Sequence, residues 1–376
     1  MKDLNVEIID AVDRFARERL APNIVDWDEA GGAPQAVLDE MAELGLFGLL
    51  AGSEVGGLEL DFPSFIRIIE RLAYHGGGLS TVVHVHNFTM ETMAMMAPGA
   101  NQDILSEMAS GARIGAFCLS EPHAGSDTSA IRTRAVRDGD DWVLNGTKCW
   151  VTNGRIAGLA MVVAVTDPEA GKKGFSMFAV PTETPGWSLV GVEKKLGQKV
   201  SDTATIALEN LRVPASALVG KEGAAYGVIL GGLSDGRISI ASQAVGFGQA
   251  AFDMARDYAQ ERVAFAKKII DHQALAFRLA DMAMNLEVAR TQIEKVARMV
   301  AEGTPCGVEA SMAKLFATQI AEQVCTDAIQ IFGGAGFIEE TGVARLYRDQ
   351  RICQIYEGTN DMQRIVISRS LGSRGM

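Results

Sequence analysis

Asp141-Trp142-Val143-Leu144-Asn145-Gly146-Thr147-Lys148-Cys149-Trp150-Val151-Thr152 decides the fold class, because it is rich in strand-forming residues and lies between long stretches of helical periodicity. Its Asn145-Gly146 pair predicts a hairpin between two strands. Comparable pieces follow at Leu159 to Val165, Phe175 to Val180, Trp187 to Val192 and Thr203 to Leu208, with glycine and proline turns between them. Together they predict a β domain, barrel or sandwich, over 115–222, starting where the composition shifts at Ile114.

Outward from this block the chain is helical on both sides. Toward the N-terminus, Ile8, Ile9, Val12, Phe15 and then Val37, Leu38, Met41, Leu44 recur at threes and fours, which predicts an N-terminal helical domain over 1–114. His84 and His86 flank Val85 in that region. With no third ligand close in sequence they read as packing histidines rather than a metal pair, and no metal site is expected. Toward the C-terminus, apolar stripes run near Asp235 to Glu261, Gln273 to Met299, Gly307 to Phe332 and Asp361 to Leu371. Ser234 or Asp235 caps the first, and Gly303 and Gly333 stop the second and third, predicting a C-terminal four-helix bundle over 223–376. The fold class is therefore α+β, with helices, sheet and bundle in that order.

Composition narrows the function. The 376 residues are 48% hydrophobic and 22% charged, as in a soluble globular protein of two to three domains. A net charge of -12 argues against a nucleic-acid or anionic-membrane surface, both of which need a positive face. Five cysteines stand far apart with no CxxC pair, so buried free thiols are expected, not a disulfide framework. The N-terminus opens into an amphipathic pattern and no apolar run approaches a membrane span, so a cytoplasmic protein is expected. Gly246-Phe247-Gly248-Gln249-Ala250-Ala251 fits GxGxxA by letter but lies inside a helical pattern and is set aside as a nucleotide fingerprint.

Three stretches carry candidate chemistry. Gln354-Ile355-Tyr356-Glu357-Gly358-Thr359-Asn360 holds a carboxylate among apolar neighbours, where lost hydration disfavours the charged form and equips it to accept a proton. Alone, it reads first as an acidic turn at a helix end. Cys118-Leu119-Ser120-Glu121-Pro122-His123-Ala124-Gly125-Ser126-Asp127 offers hydroxyls and N–H groups to a flat polar ring or a phosphate, or is a plain capped turn. Lys148 to Gly154 puts Trp150 and Thr152 on one side of a strand, to pack on a ring and bond its edge, or as a core tryptophan beside an incidental threonine.

Taken together, these stretches resemble the acyl-CoA dehydrogenases, FAD enzymes that introduce a double bond between the α and β carbons of an acyl-CoA thioester. The resemblance covers nearly the whole chain and is strongest from Phe117 onward. Lys194-Lys195-Leu196-Gly197 with Ser201-Asp202-Thr203, Asn210 to Pro214, Glu261 to Phe265 with Gln273 and Leu279 to Met282, and Gln330 to Phe337 add to it.

The resemblance implies that Glu357 is the base that removes the α proton while hydride leaves the β carbon for the flavin N5. It places Tyr356 and Gly358 along the acyl slot, and Phe117, Leu119, Ser120, Ser126, Trp150 and Thr152 around flavin and thioester, with Ser126 also touching substrate. Arg262, Phe265, Gln273, Gln330, Gly333 and Gly334 would hold the adenylate and pyrophosphate of FAD, in part across a subunit boundary, and Thr359 and Asn360 would also touch FAD. Asp235 and Arg237 fall near CoA. An acyl-CoA substrate, an electron-transferring flavoprotein as acceptor and a dimer of dimers follow from the same likeness. Ser311 to Thr318 and Ile367 to Leu371 look similar to short branched-chain members.

Three departures stand out. Ala264-Phe265-Ala266 replaces the family's Gln-Phe-Gly, which loses an amide and adds a methyl expected to crowd a tight contact. Asp235 is displaced by one residue from the family's Leu-Asp-x-x-Arg, which puts its CoA contact in question. Gly236 stands where a minority of members carry the base, leaving Glu357 without a competitor. The rivals are an oxygen-reactive oxidase or monooxygenase of the same fold and a non-catalytic flavoprotein.

Overall fold

The computed structural model describes the backbone of residues 2–373 and the side chains of 5–229 and 234–372; Met1 and the Leu233 side chain lie outside the described residues. Six helices come first: α1 (Lys2–Phe15), α2 (Ile24–Ala30), α3 (Gln35–Glu43), α4 (Phe62–Gly76), α5 (Leu79–Met96) and α6 (Gln102–Ala109). α4 starts where the Asp61 carboxylate accepts the Ser64 N–H at 2.8 Å, with Pro63 in the first turn.

The strands follow: β1 (Gly115–Cys118), β2 (Arg134–Asp138), β3 (Asp141–Thr152), β4 (Leu159–Val165), β5 (Phe175–Pro181), β6 (Trp187–Val192) and β7 (Thr203–Pro214). They form one curled sheet in the order β1-β4-β2-β3-β7-β6, with β5 also paired to β4. Leu159, Met161 and Val163 of β4 bury against Met90, Met93, Met108 and Ile229 of the helices, while Ala160, Val162 and Ala164 enter the sheet's own core with Trp142, Phe178 and Ile206. Burial on both faces is why β4 reads as an unbroken apolar run.

The expected hairpin at Asn145-Gly146 is absent. β3 runs unbroken through the pair, which forms a bulge where the register with β7 shifts between Leu144 and Gly146. A Cβ on Gly146 would stand 2.8 Å from Thr133 Cα, so this glycine serves a close approach. The hairpin that does form joins β2 to β3 through Gly139-Asp140, with Gly139 at φ +63°.

Beyond the sheet come α7 (Ala225–Glu261), the short strands β8 (Val263–Ala264) and β9 (Lys267–Lys268), then α8 (Gln273–Ala301), α9 (Gly307–Phe332), α10 (Val343–Gln350) and α11 (Asn360–Ser373). The stops at Gly303 and Gly333 are where the sequence puts them, at φ +68° and +63°. The start of α7 is not: the helix begins at Ala225, so Asp235 is interior and caps nothing. Glycines weaken the helix signal over 227–236, but Ala225 and Ile229 bury against the β4–β5 face, and that packing outweighs propensity.

The two helical ends share one core, in which Ile68, Ile69 and Leu72 of α4 meet Ile240, Val245 and Phe247 of α7. Gly246 permits that approach, since a Cβ there would lie 2.4 Å from the Glu70 carbonyl oxygen. This, and not nucleotide binding, accounts for the GxGxxA letters. Between β6 and β7, the chain reaches back into the helices: Asp28 of α2 accepts the Val200 N–H at 3.0 Å, and Asp349 of α10 accepts the Gln198 N–H. All five cysteines are buried and free. Among the described residues no helix is long and apolar enough to cross a membrane.

Candidate active site

Glu357 sits in the turn before α11 with φ +53°, a left-handed backbone that costs a non-glycine residue about 1 kcal/mol. The surroundings hold it there. The buried Lys314 of α9 donates from Nζ to the Gly358 carbonyl at 2.6 Å. Gln363 donates to the same oxygen at 2.8 Å and to the Glu357 carbonyl at 3.3 Å. Burial brings the Lys314 ammonium down to about 8. Sequence reasoning missed this residue, although one lysine in the buried small-residue stripe of Ala310, Ala313, Ala317 and Ala321 was a usable signal. Lys314→Met fills the same space without the donor; it is expected to lower the rate of flavin reduction by ~10-fold or more through a misplaced base, with acyl-CoA affinity less affected. Stopped-flow reduction at saturating substrate checks this, and an unchanged rate would show that Gln363 suffices.

The carboxylate of Glu357 lies between α5 and α7. Its Oε1 is 3.7 Å from His84 Nε2, and its Oε2 is 2.7 Å from where a Cβ on Gly236 would stand. Arg237 and Lys314 are the nearby positive charges. Burial lowers the Arg237 guanidinium from its ordinary range while Glu357 opposes that, and Arg237 Nε has no partner among the described residues. One expectation changes. His84 is not a plain packing histidine, because it faces the Glu357 carboxylate; His86 is, accepting the Gly115 N–H at 2.9 Å and meeting the Phe47 ring edge-on. The Tyr356 hydroxyl donates to Gln243 in a network that continues through Gln198 to Thr81. That network ties α5, the β6–β7 connection and α7 together.

His84, Phe88 and Glu91 recur on one face of α5. The Phe88 ring meets Phe117 edge-on at 5.1 Å, which joins the start of the sheet to this face of α5. Burial first, and Asp235 second, raise the Glu91 carboxyl to about 8; burial raises Asp235 to about 6. Asp235, expected at CoA, therefore lies beside a second acid. Since the folded protein keeps a proton on Glu91 that the unfolded chain releases near its ordinary 4.5, stability falls as pH rises from there to about 8. The slope is at most ~1.4 kcal/mol per pH unit for one proton. Glu91→Gln should flatten this fall, most visibly as a Tm above wild type at the alkaline end; parallel Tm curves against pH would refute the assignment.

The serine loop is braced from below. The buried Lys148 donates to the Leu119 carbonyl at 3.0 Å and to Glu121 at 2.9 Å, and Glu121 also accepts the Arg132 and Thr133 N–H groups at 2.8 and 2.9 Å. Burial lowers Lys148; burial also opposes the Glu121 charge, but Lys148 and these donors outweigh it and hold that carboxyl below its usual range. Cys149 donates its N–H to the Ser120 carbonyl at 3.0 Å, and Ser126 is exposed at the tip. Trp150 is 62% exposed at a second β3 bulge with φ +59°, and Thr152 is half-buried across the buried Val151.

A second set lies on the helical side. Arg262, Gln273 and Gln330 are exposed, and among the described residues their side chains have no partner; the space over Gly333 and Gly334 is open. Unmatched donors beside open glycine backbone, with an exposed indole elsewhere, fit a ligand bearing phosphates and a flat ring. Phe265 is 92% exposed in the β8–β9 turn. Phe265 and the Ala266 that stands in place of glycine carry φ +52° and +64°, so this departure also costs conformational energy. Thr359 accepts the Met362 N–H at 3.3 Å. Asn360 is buried and donates to Thr318 at 3.1 Å.

A helical frame around a curled sheet thus holds Glu357 in a constrained turn and, as a separate set, exposed donors without partners among the described residues beside open glycine backbone. Three family models match: the acyl-CoA dehydrogenase N-terminal domain over residues 3–112, middle domain over 116–211 and C-terminal domain over 226–372. The short-chain specific acyl-CoA dehydrogenase of Bos taurus mitochondria is 39% identical over 359 residues, covering 95% of this chain and 87% of that one. The structure of butyryl-CoA dehydrogenase from Megasphaera elsdenii superposes with a TM-score of 0.95 at 34% identity, covering 99% and 98% of the two chains. A chain from a structural study of the electron transferring flavoprotein of Acidaminococcus fermentans also reaches 0.95, at 38% identity and 98% and 97% coverage. The chain belongs to the acyl-CoA dehydrogenase family, flavoprotein oxidoreductases that act on the CH–CH bond of acyl-CoA.

Proposed function

We propose that the protein dehydrogenates a short acyl-CoA thioester between its α and β carbons, with Glu357 as the base. The observation that carries this reading is the placement of Glu357: a carboxylate held in a left-handed turn by Lys314 and Gln363, between His84 and Gly236. Bound FAD supplies the acceptor for the β hydride. Trp150, Thr152 and the loop from Leu119 to Ser126 would hold its ring end, with Arg262, Gln273, Gln330 and the Gly333-Gly334 backbone at its phosphates. Glu357 takes the α proton, and the aromatic wall of Phe88 and Phe117 keeps water from the slot and limits its depth. The thioester oxygen gathers charge as that proton leaves, and N–H groups of the turn that holds Glu357 suit its stabilisation.

Phe265 and Phe337, 92% and 88% exposed, and the α8 stripe of Phe277, Met284 and Val288 support a homo-oligomer, which would also complete the phosphate site. Likeness to the Acidaminococcus chain favours an electron-transferring flavoprotein as acceptor. Anaerobic titration with acyl-CoAs of graded length and branching tests the reading. Bleaching by short acyl-CoAs is the expected result; a flavoprotein bleached by none overturns it.

A further inference from the structure

We propose that His84 is the positioning residue of the base, its Nε2–H donating to Glu357 Oε1 once an acyl thioester closes the slot. The inference rests on the dehydrogenase reading above. His84 is 2% exposed, and neither ring nitrogen has a hydrogen-bond partner among the described residues. Buried polar groups are nearly always paired, so an imidazole left without a partner calls for one. Its neighbour His86 shows the ordinary arrangement through the Gly115 N–H.

The geometry names that partner. His84 Nε2 stands 3.7 Å from Glu357 Oε1, less than an ångström beyond the usual ~2.9 Å of an N–H···O bond. The Phe88 ring lies tilted against the imidazole at 6.1 Å and limits its swing. On the far side, Oε2 rests in the notch left by Gly236. With Oε1 bonded to α5, the carboxylate stops rotating and Oε2 alone faces the α proton.

Arg237 from α7 and Lys314 from α9 already face Glu357, with the acids Glu91 on α5 and Asp235 on α7. What His84 adds to these charges is a directed donor to one carboxylate oxygen.

The test compares wild type, His84→Leu and His84→Gln as FAD-loaded proteins in anaerobic stopped flow with a short acyl-CoA. His84→Leu is expected to lower the limiting rate by ~10- to 100-fold, with substrate affinity little changed. His84→Gln, which keeps a donor, should restore much of the rate. A Leu variant with the wild-type rate overturns the proposal. So do Leu and Gln variants equally impaired at unchanged FAD content and Tm. If the Leu variant loses FAD, the Gln variant decides: a rate near wild type supports the role, and a rate ~10-fold lower or more overturns it. Wild type bleached by no acyl-CoA overturns the dehydrogenase reading itself, and this proposal with it.

Discussion

Glu357→Gln is expected to bind FAD and assemble as wild type does while its flavin reduction by acyl-CoA falls by ~10²–10⁴, the usual contribution of one positioned general base. The amide matches the carboxylate in shape and keeps an acceptor toward His84, so the turn should survive. It cannot take a proton. Among the described residues the groups around it are otherwise engaged: His84 is held beyond Glu357, Lys314 is tied to the Gly358 carbonyl, and Glu91, with Asp235 beside it, keeps its proton up to about pH 8. Anaerobic reduction followed at the flavin absorbance checks the outcome. Bleaching at a near-normal rate would mean another residue is the base.

Gly236→Ala is expected to lower the same rate by ~10²-fold while Glu357 itself is intact. A Cβ at 236 would come 2.7 Å from Oε2 and 3.0 Å from Cδ of Glu357, closer than non-bonded atoms tolerate. α7 is packed tightly against α4 at Gly246, so the Glu357 side chain has to leave the notch in which its Oε2 rests. The α proton then loses its acceptor although the charge remains in the slot. A Gly236→Ala protein with the wild-type rate would show that the turn at Glu357 is softer than its hydrogen bonds imply.

Several features of fold and site were legible along the chain. Period-two and helical stretches, with glycine stops at 303 and 333, marked helices, sheet and bundle, because local backbone preference and one-sided burial act over a few residues. The Tyr356-Glu357-Gly358 stretch, the serine loop and Trp150-Val151-Thr152 were visible as chemistry for the same reason: each is contiguous. Where local signals failed, a distant surface had intervened. Asn145-Gly146 spells a hairpin, but Thr133 and β7 hold it in a continuous strand. The glycines before Gly236 spell a loop, but the β4–β5 face keeps α7 helical.

Residue by residue, the sequence by itself determined the order of helices and strands, the family likeness and the candidate Glu357. Only the tertiary structure decided what surrounds that carboxylate. His84, Lys314 and Gly236 lie far from Glu357 in sequence and come from three different helices, and no local pattern shows that all three meet it. Their meeting depends on how α5, α7 and α9 pack. Close packing of that kind is set by the summed burial of many side chains, so no single stretch of the chain records it.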